Sequence, residues 1–97
     1  MTFEIILSRE AGTNYSALQA PSKKTVLKAV DKTLDLMASN FRYRSLQPHE
    51  FHGMKGPDGE KIWESYVQHK TPCPYRFFWF YGPGKSKITI AAITPHP

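Results

Sequence analysis

Along FEIILS, residues 3–8, apolar and polar positions alternate. Phe3, Ile5 and Leu7 fall on one side and Glu4, Ile6 and Ser8 on the other. A period of two is that of a half-buried strand. Ser8 then offers an N-cap, because its hydroxyl can accept from a backbone N–H of the first helical turn. Ala11, Tyr15 and Leu18 recur behind it, which predicts a first, weakly amphipathic helix over residues 9–19. Pro21 disfavours helical geometry in the residue before it, and Ser22 is placed to cap a second helix. From Lys23 to about Asn40 the period is clear. Leu27, Val30, Leu34, Met37 and Phe41 step by three and four, with Val26 beside them, while Lys24, Lys28, Asp31, Lys32 and Asp35 fall largely on the other faces. That pattern predicts a long amphipathic helix with one buried stripe.

Residues 41–61, FRYRSLQPHEFHGMKGPDGEK, show no sustained period and are rich in Gly, Pro, His and basic side chains. They read as a loop, long for a compact domain and of a length that often carries function. Alternation returns in KIWESYVQ, residues 61–68, where Ile62, Glu64, Tyr66 and Gln68 oppose Trp63, Ser65 and Val67. YRFFWFY (75–81) and KITIAAIT (87–94) come next, joined by GPGKS. The predicted order is β-α-α-β-β-β, a single α+β domain over residues 1–97. Its four-stranded, mainly antiparallel sheet has two helices on one face, and the opposite face is left for solvent or a ligand.

Charge narrows the choice of partner. The chain has 13 Lys and Arg against 8 Asp and Glu, a formal net charge of +5 over 97 residues. Such a surplus fits nucleic acid or an acidic protein segment; the alternative is a basic domain that gains only solubility from it. Cys73 is the only cysteine, so no internal disulfide can form and no cysteine-rich zinc spacing exists,. Together with an N-terminus that lacks a basic signal-peptide region and the absence of any long apolar run, this predicts a cytoplasmic protein with no membrane span.

Three local features bear on chemistry. GPGKS ends like a phosphate-binding loop, but that motif needs a glycine five residues before its Gly-Lys pair, and Trp79 stands there,. A hairpin turn is the better reading. In YRFFWFY, Tyr75, Phe77, Trp79 and Tyr81 share one face and Arg76, Phe78 and Phe80 the other, so Arg76 is the one charge in an aromatic strand,. On the open face it would meet solvent or a phosphate; alternatively it pairs with Glu64 across neighbouring strands. His49, His52, His69 and His96 lack close metal-ligand spacing, and neither a metal nor another cofactor is expected. His96 comes after the last strand at its rim, where it could reach over the open face; alternatively it is a frayed terminal residue.

A strand, two helices and a three-stranded meander, with YRFFWFY as an aromatic penultimate strand and ITPHP as a last strand running into a histidine, resembles the RelE/ParE superfamily. These are the toxins of bacterial type II toxin–antitoxin systems. The resemblance spans the whole chain in order and length. It implies a toxin whose partner is a cognate antitoxin. The ribonuclease members cut messenger RNA, usually on the ribosome and without a metal, by attack of the RNA's own 2′-hydroxyl on the adjacent phosphate. On that reading Arg76 would clamp the phosphate and His96 would protonate the leaving oxygen. Glu50 or His52 would serve as base. Lys55, Lys61 and Tyr66 would position the substrate. Arg76 and His96 would both stand outside the core.

Two departures from the family pattern qualify this. Glu64 occupies a strand on which members often carry basic residues, where it would offset the charge of Arg76 or act as the base itself. The HGMKGPDGEK loop has no firm counterpart. Two alternative functions therefore accompany the endoribonuclease (mRNA interferase) reading. One is a DNA gyrase inhibitor, as in the other branch of the superfamily. The other is a non-catalytic basic binding module on the same fold.

Overall fold

The computed structural model describes residues 2–40 and 46–97. The elements are β1 (Glu4–Leu7), α1 (Arg9–Ala17), α2 (Lys24–Asn40), β2 (His49–Lys55), β3 (Lys61–Tyr66), β4 (Tyr75–Tyr81) and β5 (Lys87–Pro95), with one 3-10 turn at Pro21–Lys23 before α2. The sheet has five strands in the order β1-β5-β4-β3-β2. β1 runs parallel to β5, and every other pair is antiparallel. The α+β class and the two helices on one face are as the sequence predicts, but four strands become five.

The fifth strand corrects the loop expected over residues 41–61. His49–Lys55 forms β2, paired to β3 with a register break between Phe51 and Lys55. Its period is hard to see because Phe51 is the one apolar residue among His49, Glu50, Phe51 and His52, before the register break. Residues 41–45 of that expected loop, and Phe41 of the helical stripe, lie outside the described residues. Ser22 does not cap α2 either; it lies inside the 3-10 turn, which leads straight into the helix.

Between helices and sheet lies the main core. Val30 and Met37 of α2, Ala11 and Leu18 of the first helical segment, Phe77 and Trp79 of β4, and Ile88, Ile90 and Ile93 of β5 are all buried there. Leu27 and Leu34 are half-buried against this core, as are Phe3, Ile5 and Leu7. The one polar atom of the Trp79 side chain finds its acceptor inside: Nε1–H donates to Ser65 Oγ at 3.0 Å, and Ser65 is itself fully buried. A buried indole or hydroxyl left without such a partner would be costly.

Ser8, the N-cap of α1, and Asn14 within it fix the far half of β5. Ser8 caps the helix by accepting from Ala11 N at 3.1 Å, and donates its own hydroxyl to Ala91 O at 2.8 Å. Asn14 Oδ1 accepts from Ile93 N at 2.9 Å. β1 ends opposite Ile90, so α1 takes over the backbone groups of β5 that β1 no longer reaches. At that point β5 bulges. Phe78 pairs with Ala92 and Trp79 with Ile90, leaving Ala91 as the extra residue,. Before the bulge Ile88 and Ile90 face the helices; after it Ile93 does, and Ala92 and Thr94 turn to the opposite face. The three-residue step from Ile90 to Ile93 is its trace in the sequence.

The connection between β4 and β5 is a hairpin loop, as expected of GPGKS. Gly82 N donates to Lys87 O at 2.8 Å, and Thr89 Oγ1 donates to Gly82 O at 2.7 Å. Gly82 and Gly84 have φ of 114° and 90°, a region open to glycine at little steric cost,. Among the described residues no helix is long and apolar enough to cross a membrane.

Candidate functional site

The face of the sheet away from the helices is not bare. Ile62, Phe78, Phe80 and Ala92 form a small second core there, with Phe51 and Ala91 packed against it. Phe51 meets Phe78 edge-on at 4.8 Å between ring centres. Gly53 makes room for that ring: a Cβ at position 53 would come within 2.7 Å of the Phe51 ring.

Polar side chains gather at one end of this apolar strip. Strand register sets Tyr66, Arg76 and Thr94 in one cross-strand row. The neighbouring row holds His49, Glu64, Phe78 and Ala92. Residues opposite one another in a sheet project to the same side, so His49, Glu64, Tyr66, Arg76 and Thr94 share the face of Phe78. His96 joins them. Its backbone N–H donates to Pro74 O at 2.8 Å, which continues the pairing of β4 and β5. Its ring lies 6.0 Å from that of Tyr66, and its Nδ1 is 2.9 Å from Pro97 O. This is a tautomer-dependent contact in which an Nδ1–H would donate and leave Nε2 directed elsewhere.

Arg76 answers to both of its sequence readings. It stands on the face away from the helices, and it is paired with Glu64 by Nη1···Oε2 at 2.6 Å. Each side chain of the pair is only 15 % exposed. The guanidinium also lies over the Phe78 ring, 4.6 Å from its centre, a cation–π arrangement. Its Nε is buried without a hydrogen-bond partner among the described residues. Arg76 belongs to neither core cluster, but it is not clear of the packing: it lies against the second one, held between Phe78 and Glu64. His96 is exposed, as expected.

Four other sequence candidates lie elsewhere. Glu50 pairs in register with Trp63, which packs into the helix-side core. His52 sits beside Glu50, Nδ1 to Oε2 3.6 Å. Both thus project from β2 on the side opposite Arg76, and His49 and His52 cannot share a ligand across the sheet. Lys55 and Lys61 pair with each other at the β2–β3 hairpin. Lys61 and Tyr66 stand five positions apart on β3, about 16 Å at strand rise. Lys55 instead lines, with Arg9, Met54, Ile62 and Phe80, a concavity of ≈ 390 Å³ at the other end of the same face.

Two members of the cluster carry no role in the sequence reading. His49 enters there only through its metal spacing, and Thr94 only as part of a strand. Placing His49 needs β2 to be recognised, and placing Thr94 needs the bulge. The alternation of His49 and Phe51 against Glu50 and His52 is the only available signal for the first.

The arrangement offers one cation with donors to spare, a carboxylate that fixes it, two imidazoles and a phenol, all on one solvent-reached patch. A guanidinium has five N–H donors, and Glu64 engages one of them.

No family model matches the sequence, and no curated protein matches it. Among solved structures, the YoeB dimer from Staphylococcus aureus superposes with a TM-score of 0.66 over 100 % of both chains at 17 % identity. The heterotetrameric YoeB–YefM toxin–antitoxin complex from the same organism gives a TM-score of 0.61, again over 100 % of both chains, at 18 % identity. At this identity the likeness is one of fold alone.

Proposed function

We propose that the chain is the toxin of a type II toxin–antitoxin module and acts as a metal-independent endoribonuclease on messenger RNA. The observation that carries this reading is the placement of Arg76, Glu64, Tyr66 and His96 on one end of the helix-free face. Arg76 receives the scissile phosphate through the donors that Glu64 leaves free, and its buried, unpartnered Nε marks unspent donor capacity at that spot,. A fixed guanidinium is the group best suited to charge developing on phosphoryl oxygens. His96 protonates the departing 5′-oxygen, since imidazole changes charge nearest to neutral pH. Tyr66 offers its ring to a base next to the cleaved bond.

Glu64 shares the Arg76 face, whereas Glu50 and His52 do not. Held by Arg76 at 2.6 Å, Glu64 orients the clamp and tempers its charge. The partner is an antitoxin. Its support is the likeness in fold to YoeB, which the second solved structure contains in complex with YefM. The chain's net charge of +5 suits an acidic partner segment, and that association should weaken with salt.

The test is cleavage of a messenger RNA by the purified chain in EDTA, alone and with ribosomes. Products should end in a 2′,3′-cyclic phosphate and a 5′-hydroxyl. His96→Ala, a change at an exposed position, should lower the rate by about 10²-fold with the fold intact. Arg76→Lys, which keeps the charge but loses the planar fork, should do likewise. Growth arrest with intact messenger RNA and accumulated gyrase–DNA cleavage complexes would instead identify a gyrase inhibitor. Absence of any growth effect would identify a binding module.

A further inference from the structure

The two ends of a phosphoryl transfer lie in line, with the attacking and leaving oxygens on opposite sides of phosphorus. A base and an acid must therefore flank the phosphate clamp from opposite sides. His96 comes in from the row beyond Arg76: its backbone continues β5 beside Pro74, and its ring reaches that of Tyr66. On the opposite, β2 side, the strand register brings one proton-accepting side chain to the same face, His49, directly across from Glu64.

Resting on the nuclease reading above, we propose that His49 is the proton acceptor of the cleavage step, and that Glu64 steadies its protonated form. His49 is exposed, and among the described residues its ring has no hydrogen-bonding partner, so it is free to meet a substrate hydroxyl. Directly paired residues bring their Cβ atoms to about 4.5–5.5 Å, within reach of an imidazole and a carboxylate through modest side-chain rotation or one water. The charged and titratable groups that face it are Glu64 and Tyr66 on β3 and Arg76 on β4, with His96 beyond Tyr66. On its own strand Glu50 and His52 point the other way, and Lys55 lies at the far end of the face. Glu64 is a poor acceptor itself, because Arg76 holds its Oε2 at 2.6 Å and both side chains are largely buried.

In the step, neutral His49 takes the proton of the 2′-hydroxyl as that oxygen bonds to phosphorus. The bond from phosphorus to the 5′-oxygen breaks, and protonated His96 gives its proton to that oxygen. The products are a 2′,3′-cyclic phosphate and a 5′-hydroxyl. One proton has moved on to His49 and one off His96, and exchange with water resets both. No oxidant, reductant or metal enters the balance.

The experiment is the pH dependence of kcat/KM for a short oligoribonucleotide, measured for wild type, His49→Ala and His96→Ala. Circular dichroism confirms folding, and added imidazole serves as a replacement base. Wild type should give a bell-shaped profile. His49→Ala should cut the rate by about 10²-fold, lose the acidic limb and regain activity with imidazole. His96→Ala should lose the alkaline limb instead. A folded His49→Ala protein that cleaves at the wild-type rate, or keeps the acidic limb, overturns the role of His49 while leaving the nuclease reading in place. A wild-type protein that cleaves no RNA overturns both.

Discussion

Glu64→Gln and Arg76→Met, alone and combined, would measure how strongly the site's ion pair is built into the fold. Glutamine keeps the shape of glutamate without its charge, and methionine keeps most of the arginine stem over Phe78. A fully exposed pair contributes about 0.2–1 kcal/mol, whereas breaking a buried one costs about 3–5 kcal/mol because the surviving charge is stranded. Here each side chain is 15 % exposed, at a separation of 2.6 Å, so the pair sits nearer the buried limit. A hydrogen bond between charged groups nets about 1.5–3 kcal/mol. Arg76→Met, which strands the carboxylate, should cost about 2–4 kcal/mol. Glu64→Gln should cost about 1–2 kcal/mol, since the amide oxygen can still accept from the guanidinium. The double variant should be more stable than the sum of the singles implies, with a coupling of about 2 kcal/mol. Urea denaturation at neutral pH gives all four values, and repeating it in high salt should change the coupling little, because a pair this enclosed is weakly screened. A coupling below about 0.5 kcal/mol, or one that vanishes with salt, would refute the argument that Glu64 fixes the arginine and would free Glu64 to act as a base.

Gly53→Ala should push the Phe51 ring off Phe78, the intruding Cβ lying 2.7 Å from a ring carbon, at a cost of about 1–3 kcal/mol in urea denaturation; unchanged stability would mean that β2 gives way freely. Ser65→Ala should cost about 1–3 kcal/mol by leaving Trp79 Nε1 without its buried acceptor,, and an unaltered denaturation midpoint would contradict this. The hydrogen bond from Tyr15 to Asp31, 2.6 Å long, is the main cause that raises the Tyr15 phenol above its ordinary 10.0, with burial and the charge of Asp31 adding to it. The folded state thus holds that proton more tightly than the unfolded chain, so the contribution is complete below pH 10.0 and is lost as pH rises through the elevated folded value,. Tyr15→Phe should cost about 0.5–1 kcal/mol at pH 7, solvent screening keeping it small, and should lose less stability than wild type above pH 10.0. An identical alkaline loss in both proteins would rule the contact out.

Strong periods survive the passage from sequence to structure and weak ones do not. Leu27, Val30, Leu34 and Met37 mark α2 because four apolar residues at one spacing have few other uses. Ser8 is legible as a cap because its hydroxyl chemistry is local. Its second bond, to Ala91 some eighty residues away, depends on where β5 comes to lie, which no local pattern encodes. β2 is illegible because four of its seven residues are polar and it is an edge strand, where one flank needs no apolar cover. For the site, the facing of Arg76 and its bond to Glu64 stand in the sequence as two alternatives, and the structure makes them compatible. The separation of Glu50 and His52 from Arg76 could not be foreseen, since it depends on the register of a strand that reads as a loop.

The bulge at Ala91 also bears on how this chain is compared with others. On β5, odd and even positions exchange sides at that residue: Ile88 and Ile90 face the helices, yet Thr94 and His96 face away from them. Any alignment that counts residues along β5 without allowing one extra will match His96 to a position on the helix side of the sheet. A relative with an identical strand and no inserted residue would turn its histidine to the helix side, away from the row of Tyr66 and Arg76. Parity along this strand is therefore a more discriminating mark of a shared site than the presence of a histidine near its end.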